Sequence, residues 1–262
     1  MTEILRTEML TKNFGGLCAV KDVSFSINEG NIMGLIGPNG AGKTTLINLI
    51  SGAFPASSGR IVFTGKDISR CRAYTANNMG IARTFQIVRI FSQLTARENI
   101  LAALVDRRKN GPWKLIGKAI FSKSSALIDN KEAVREADRL LDFVGIGQYG
   151  DEQAGNLPYA LSKRLEIARA MATGPKLLLL DEPSSGLNPA ELVDQIELIK
   201  QINRQGITIL IIEHVMKVIM DISHRLIVLH YGEKIAEGDP REVYTDPQVV
   251  EAYLGDDTDA AH

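Results

Sequence analysis

The chain has 262 residues, 45% of them hydrophobic and 23% charged, which is the make-up of a globular protein with a real core in one large domain or two small ones. A formal net charge of −1 gives no electrostatic reason to expect nucleic acid as a partner. Neither of the two cysteines, Cys18 and Cys71, lies in a CxxC pair, so a disulfide framework is excluded and both read as buried free thiols of a reducing compartment.

The opening MTEILRTEML has no apolar stretch flanked by basic residues, so no signal peptide is expected. SFSINEGNIMGLIG (24–37) reads as strand segments broken by a Glu-Gly turn, and it runs into a glycine-rich loop. TLINLISGAF (45–54) reads as a helix ending at Gly52, and GRIVFTGKDI (59–68) as a strand turned by Gly65. Residues 95–105 and 130–144 have helical spacing. Between them DRRKNGPWKLIGKAIFSKSS (106–125) is basic and irregular, holds Trp113, and reads as an insertion. LLLLDEP (177–183), ITILIIEH (207–214) and RLIVLHYGEKIAEG (225–238) are strands that follow helical segments. Strands apolar throughout are buried on both faces, as in parallel sheets, so the expected fold is a layered α/β domain. Runs such as LLLL and ILII are too short to cross a bilayer. From Thr245 the sequence fades into polar residues, with a frayed end expected.

GPNGAGKTT (37–45) carries the sharpest chemical signal. It fits GxxxxGK[ST] with Gly37, Gly42, Lys43 and Thr44, between a strand at Ile32–Ile36 and a helix at Leu46–Ser51. Glycines let the backbone curl round phosphates with its N–H groups inward, and the helix N-terminus adds partial positive charge. Pro38, Asn39, Gly40, Ala41 and Thr45 complete the loop. Lys43 is expected at the β- and γ-phosphates of ATP, and the Thr44 hydroxyl on Mg²⁺. The four leucines of LLLLDEP place Asp181 at the C-terminal end of a buried strand, where α/β proteins bind ligands. Asp181 is expected to hold the metal, and Glu182 to orient and activate the attacking water.

With these motifs the chain resembles the ATP-binding subunits of ABC transporters over nearly its whole length. The resemblance implies a P-loop NTPase core (RecA-like, mostly parallel sheet), an antiparallel β subdomain and an α-helical signature subdomain. It implies a single ABC ATPase domain over 1–262. Roughly residues 1–90 and 165–240 form the nucleotide-binding core with its β subdomain. Residues 91–164 form the helical subdomain with the insertion 106–130, and 241–262 a C-terminal helix and tail. Phe14, in KNFGG, matches the aromatic that stacks on adenine. Gln86, in IARTFQ, matches the glutamine that touches Mg²⁺ and the lytic water and couples to the membrane subunit. SSGLNPAE (184–191) matches the loop that crosses the dimer, and His214 the switch histidine at the γ-phosphate. Taken alone, Phe14 also reads as a core residue, Gln86 as a surface amide and His214 as a capping histidine.

Leu157, Pro158, Tyr159, Ala160 and Leu161 align with the signature, which usually reads Leu-Ser-Gly-Gly-Gln and serves the partner's site. Pro158 offers neither hydroxyl nor N–H, Leu161 lacks the amide, and Ala160 is expected to be strained if its position needs φ > 0. Asn188 stands where the superfamily often has Asp. These departures point either to a weaker closed dimer or slower hydrolysis at the site the signature completes, or to a branch that tolerates such variants freely.

FGGLCAVKDVSF, GIARTFQIVRIF, RLEIARA and DPQVVEAYLG look like the importer ATPases for branched-chain amino acids, with urea and short-chain amide importers similar. That resemblance implies a subunit on the inner face of the cell membrane, with ATP and Mg²⁺ as cofactors. Its partners are two transmembrane permease subunits, a second ABC ATPase in a heterodimer and, indirectly, a substrate-binding protein. Arg83, Arg89 and the basic residues at 107–118 read either as contacts for acidic coupling segments or lipid headgroups or, for the insertion above all, as a solvated basic face. The alternatives are a soluble ABC ATPase outside transport and a signature-defective ATP-binding regulator.

Overall fold

The computed structural model describes residues 2–107 and 131–259, so all but the first two residues of the insertion at 106–130, Trp113 included, lie outside the described residues. The chain folds as two compact units, Met1–Arg83 with Lys176–His262, and Thr84–Pro175.

The first unit holds two sheets. β1 (Glu3–Phe14) and β2 (Leu17–Asn28) pair antiparallel, and β4 (Ser58–Phe63) and β5 (Lys66–Asp67) extend them in the order β2-β1-β4-β5. Leu5, Leu10, Val23, Ile27, Ile61 and Phe63 of β1, β2 and β4 are buried, with the shifts in the β1–β2 register interrupting the period-two alternation of β1. The second sheet has the order β10-β9-β3-β8-β7-β6, built from β3 (Ile32–Ile36), β6 (Ile81–Arg83), β7 (Leu177–Asp181), β8 (Thr208–Ile212), β9 (Arg225–His230) and β10 (Glu233–Gly238). All its pairs are parallel except β9 with β10, which form a hairpin turned at Tyr231 and Gly232, both at positive φ. Every residue of β3, β7 and β8 is buried, the burial that their unbroken apolar runs require.

Helix α1 (Lys43–Ile50) packs Leu46, Ile47 and Ile50 into the core with Leu35, Leu179 and Leu210. α2 (Ala73–Met79) ends at Gly80 in the left-handed region. The second unit is helical among its described residues. It carries α3 (Ala96–Arg107), α4 (Lys131–Phe143) and α5 (Tyr159–Ala172), with single 3₁₀ turns at Gly147–Tyr149 and Ala154–Asn156. Thr95 and Glu98 exchange backbone and side-chain bonds at the start of α3, a capping box. α4 buries Ala133, Ala137, Leu140 and Leu141, one stripe of a helix whose other residues are charged except Val134 and Phe143. The first unit closes with α6 (Pro189–Arg204), α7 (Met216–Ile222), α8 (Pro240–Tyr244) and α9 (Pro247–Asp259).

Several sequence expectations change. Cys71 is only partly buried and Cys18 is exposed, at the start of β2 where Leu17 beside it is exposed as well. α5 runs unbroken through residue 165, where the sequence reading placed the return to the core. Among the described residues no helix is long and apolar enough to cross a membrane.

Candidate active site

In the first unit, β3 delivers the chain to Gly37 and α1 takes it away at Lys43. Gly37 and Gly42 have φ of 145° and 98°, conformations that side chains resist. Space forbids side chains too: a Cβ at Gly37 would lie 2.1 Å from the Leu229 carbonyl oxygen, and one at Gly42 2.5 Å from that of Ala19. Backbone from β9 and β2 therefore presses the loop into its curl. No side chain caps α1. An uncapped helix N-terminus offers backbone donors and partial positive charge suited to an anion.

Lys43 is 7% exposed, and its Nζ donates to the carbonyls of Gly37 (2.6 Å) and Pro38 (2.7 Å). A buried ammonium is thus lodged inside the loop that resembles a phosphate cradle. Pro38 and Ala41 are buried, Asn39, Gly40 and Thr44 are exposed, and Thr45 is half-buried. Helix α1 begins at Lys43 rather than Leu46, because Gly42 already serves as its N-cap.

Asp181, the last residue of β7, is 2% exposed. Burial pushes its pKa up, and the neighbouring Arg83 cation opposes that shift. Arg83 Nη2 donates to Asp181 Oδ2 at 3.1 Å. This corrects the expectation that Arg83 faces a membrane subunit or lipid: its side chain is 11% exposed and turned into the core. Arg89 is exposed, with its guanidinium 4.3 Å from the centre of the Phe85 ring.

Glu182 follows at φ 51°, and its N–H donates to the Ile212 carbonyl at 3.0 Å, one step beyond the β7–β8 ladder. Its Oε1 lies 2.7 Å from His214 Nε2. Two residues on, the Ser184 N–H donates to Oε1 of the buried Glu213 at 2.8 Å, which pins the turn between them.

Phe14 ends β1 half-exposed, edge-on to Phe54 at 5.2 Å, with Lys12 Nζ 5.0 Å from the centres of both rings. Asn188 caps α6: its Oδ1 accepts the N–H groups of Ala190 and Glu191, and Glu191 returns a bond to the Asn188 N–H. The side-chain oxygen needed there is present in Asn as in Asp.

In the second unit Gln86 is exposed. Leu157 is buried, Pro158 is the N-cap of α5, and Tyr159 is half-exposed in its first turn. Ala160 and Leu161 are helical, and Ala160 is not among the residues at positive φ. The strain expected at Ala160 is therefore absent, since a right-handed helical position accepts a methyl group freely.

Sequence reasoning did not single out Asn48, Glu213 or Glu166. Glu166, on α5, is 6% exposed and accepts the N–H groups of Arg89 (3.0 Å) and Phe85 (3.4 Å).

An anion-binding loop after β3 and an acidic end on β7, the two strands flanking β8, are how P-loop nucleotide hydrolases are assembled, and that is the class of this protein. The family model described as ABC transporter matches residues 20–185, and that described as branched-chain amino acid ATP-binding cassette transporter matches 233–259. The high-affinity branched-chain amino acid transport ATP-binding protein LivG of Salmonella typhimurium is 40% identical over 255 residues, which cover 97% of this chain and 98% of LivG. BraF of Pseudomonas aeruginosa, of the same description, is 39% identical over 254 residues with the same coverage. The ADP conformation of MJ1267, an ATP-binding cassette of an ABC transporter, is 36% identical with a TM-score of 0.84, covering 97% of this chain and all of that one. The chain belongs to the ABC transporter family, among its ATP-binding cassettes.

Proposed function

We propose that this chain is the ATP-hydrolysing subunit of an ABC importer for branched-chain amino acids. The observation that carries the reading is the placement of Lys43 and Glu182 on elements that follow β3 and β7, with β8 between them. The end-to-end similarity to LivG and BraF, and the match at 233–259, favour branched-chain amino acids over urea or amides.

Backbone donors of 37–45 and the N-terminus of α1 bind the β- and γ-phosphates. Lys43 Nζ exchanges its hold on Gly37 and Pro38 for phosphate oxygens. Phe14 offers the adenine ring an exposed aromatic surface. The residues fit Mg²⁺: the Thr44 hydroxyl and a buried carboxylate at Asp181 are hard oxygen donors, and Mg²⁺ is held by one or two such groups plus substrate phosphates rather than by an all-protein cage. When bound, Mg²⁺ would neutralise charge on the β- and γ-phosphates.

Glu182 orients the attacking water and takes its proton, with His214 holding the carboxylate in place. The segment Leu157–Leu161 completes the site of a second ATPase subunit, in a heterodimer seated on two permease subunits at the inner membrane face. A substrate-binding protein delivers the solute to those permeases.

The test is reconstitution of the chain with its permeases, second ATPase and binding protein in vesicles containing ATP. Uptake of leucine, isoleucine or valine that vanishes with Lys43→Ala supports the reading. Uptake of urea but not of leucine, or ATPase activity indifferent to the permeases, overturns it.

A further inference from the structure

Arg83 ends β6, the edge strand of the large sheet. Its register partner on β7 is Leu179. Alternate residues of a strand share a face, so Asp181, two residues beyond Leu179, points to the same side as Arg83. The long arginine arm spans that diagonal and sets Nη2 3.1 Å from Asp181 Oδ2. The other end of the fork turns to α1: Nη1 donates to Asn48 Oδ1 and, at 3.3 Å, to Ser51 Oγ. Asn48 lies four residues after Thr44, one helical turn along the same helix.

One guanidinium therefore bonds both elements that carry the proposed Mg²⁺ groups, β7 with Asp181 and α1 with Thr44. A planar fork with donors in fixed directions sets the spacing of two partners in a way a flexible ammonium does not. We infer that Arg83 is a positioning residue that fixes the Asp181 carboxylate and ties it to α1, so that the two sides of the metal site stand at a set distance before MgATP arrives. Arg83 touches neither phosphate nor water in this role. It acts through Asp181 and Asn48. The inference rests on the reading of the nucleotide site given above.

The test is binding of a fluorescent ATP analogue to the purified full chain, titrated with Mg²⁺ and repeated in EDTA. Arg83→Gln is expected to raise the Mg²⁺ midpoint by about 10–100-fold, the usual effect of removing a group that orients a metal ligand. Arg83→Lys keeps the charge and loses the fork, and is expected to fall between Gln and the parent. Asn48→Ala leaves the Asp181 contact and frees the arm from α1, and is expected to raise the midpoint by a smaller factor. In EDTA the losses are smaller than with Mg²⁺.

Equal losses in both conditions, with a lowered melting temperature, would reduce Arg83 to a packing role and overturn the inference. So would a lowered midpoint, which would mean that Arg83 merely competes with the metal. Should Arg83→Gln not fold, Arg83→Lys and Asn48→Ala decide the matter. If Lys43→Ala binds the analogue as tightly as the parent, the reading of the site itself fails, and this inference falls with it.

Discussion

His214 Nε2 meets Glu182 Oε1 at 2.7 Å, and this contact closes the gap between the chain leaving β7 and the chain leaving β8. The proposed role of Glu182 as base calls for a carboxylate that only accepts, and in that role the imidazole N–H donates. Glu182 reaches that position with its backbone at φ 51°, an arrangement costing on the order of 1–3 kcal/mol for a residue with a Cβ. Strain held at a residue that also meets His214 supports the proposed role of Glu182.

Two substitutions separate the strain from the chemistry. Glu182→Gln keeps the backbone and removes the base, so steady-state ATP hydrolysis is expected to fall by a factor of about 10²–10⁴ with nucleotide binding retained. Glu182→Gly removes the base and relieves the backbone, so the nucleotide-free chain is expected to melt higher than Glu182→Gln while being equally inactive. Hydrolysis and melting curves on both variants check this. Turnover of Glu182→Gln near that of the parent would end the assignment of Glu182 as base.

The phosphate loop gives a sharper steric test. A methyl group at Gly42 meets the Ala19 carbonyl oxygen at 2.5 Å, in a backbone conformation of φ 98°. Gly42→Ala is expected to destabilise the chain by more than about 1 kcal/mol and to abolish nucleotide binding, because both the clash and the positive φ must be relieved by moving the loop. By contrast Gly40, also at positive φ, has open space around its Cβ position, so Gly40→Ala carries only the conformational cost. Nucleotide titration of the two variants distinguishes them, and equal affinities would show that the loop yields freely.

Those features were legible in sequence because each is written locally. GPNGAGKTT carries the glycines its turn needs, and the runs LLLL of β7 and ILII of β8 are apolar throughout because both faces are covered. β1 was not legible. EILRTEMLTKNF mixes polar and apolar residues, and the irregularities in its pairing with β2 break the simple alternation. β6 is three residues long, too short for a periodic signal. Arg83 and Arg89 look alike in IARTFQIVRI, and only the register of β6 on β7 turns the first inward to Asp181. Glu166 hides in LEIARA for the same reason: its partners, the Phe85 and Arg89 N–H groups, come from a segment about eighty residues earlier, a distance no local pattern reports.

Glu166 supports a prediction about pH. Burial raises its pKa above the ordinary value of 4.5, against the opposing pull of the Arg89 and Phe85 N–H groups and of the Arg169 and Lys163 cations. A carboxyl whose folded pKa is raised contributes stability that is fully present below the unfolded pKa and is lost as pH rises through the folded value. Glu166→Gln keeps a side-chain oxygen and cannot ionise. Its stability relative to the parent is therefore expected to climb as pH rises from the ordinary glutamate range, then level off once Glu166 is fully charged in the folded chain. Urea midpoints of both proteins across that interval check the sign. Parallel curves would show that the N–H bonds and cations balance the burial.

Pro158 remains the departure from the signature with a structural basis. It is the N-cap of α5, its carbonyl accepting the Ser162 N–H at 2.9 Å, and no side chain caps the helix. Serine in its place supplies a capping oxygen and restores a backbone N–H. Capping alone is worth about 1 kcal/mol, a rise of about 2–4 °C in melting temperature for a chain of this size. Contact with a γ-phosphate is a separate gain: one charge-assisted hydrogen bond is worth roughly 1.5–3 kcal/mol, enough for tenfold or more in closing the dimer. Pro158→Ser is therefore expected to raise the melting temperature of the isolated chain and, independently, the ATPase rate of the assembled transporter. Ala160→Gly, in a helical position where glycine is the worse residue, is expected to lower stability and add no turnover. A Pro158→Ser protein that melts higher yet hydrolyses no faster in the full complex would confine Pro158 to the helix end and leave the partner's phosphate untouched by it.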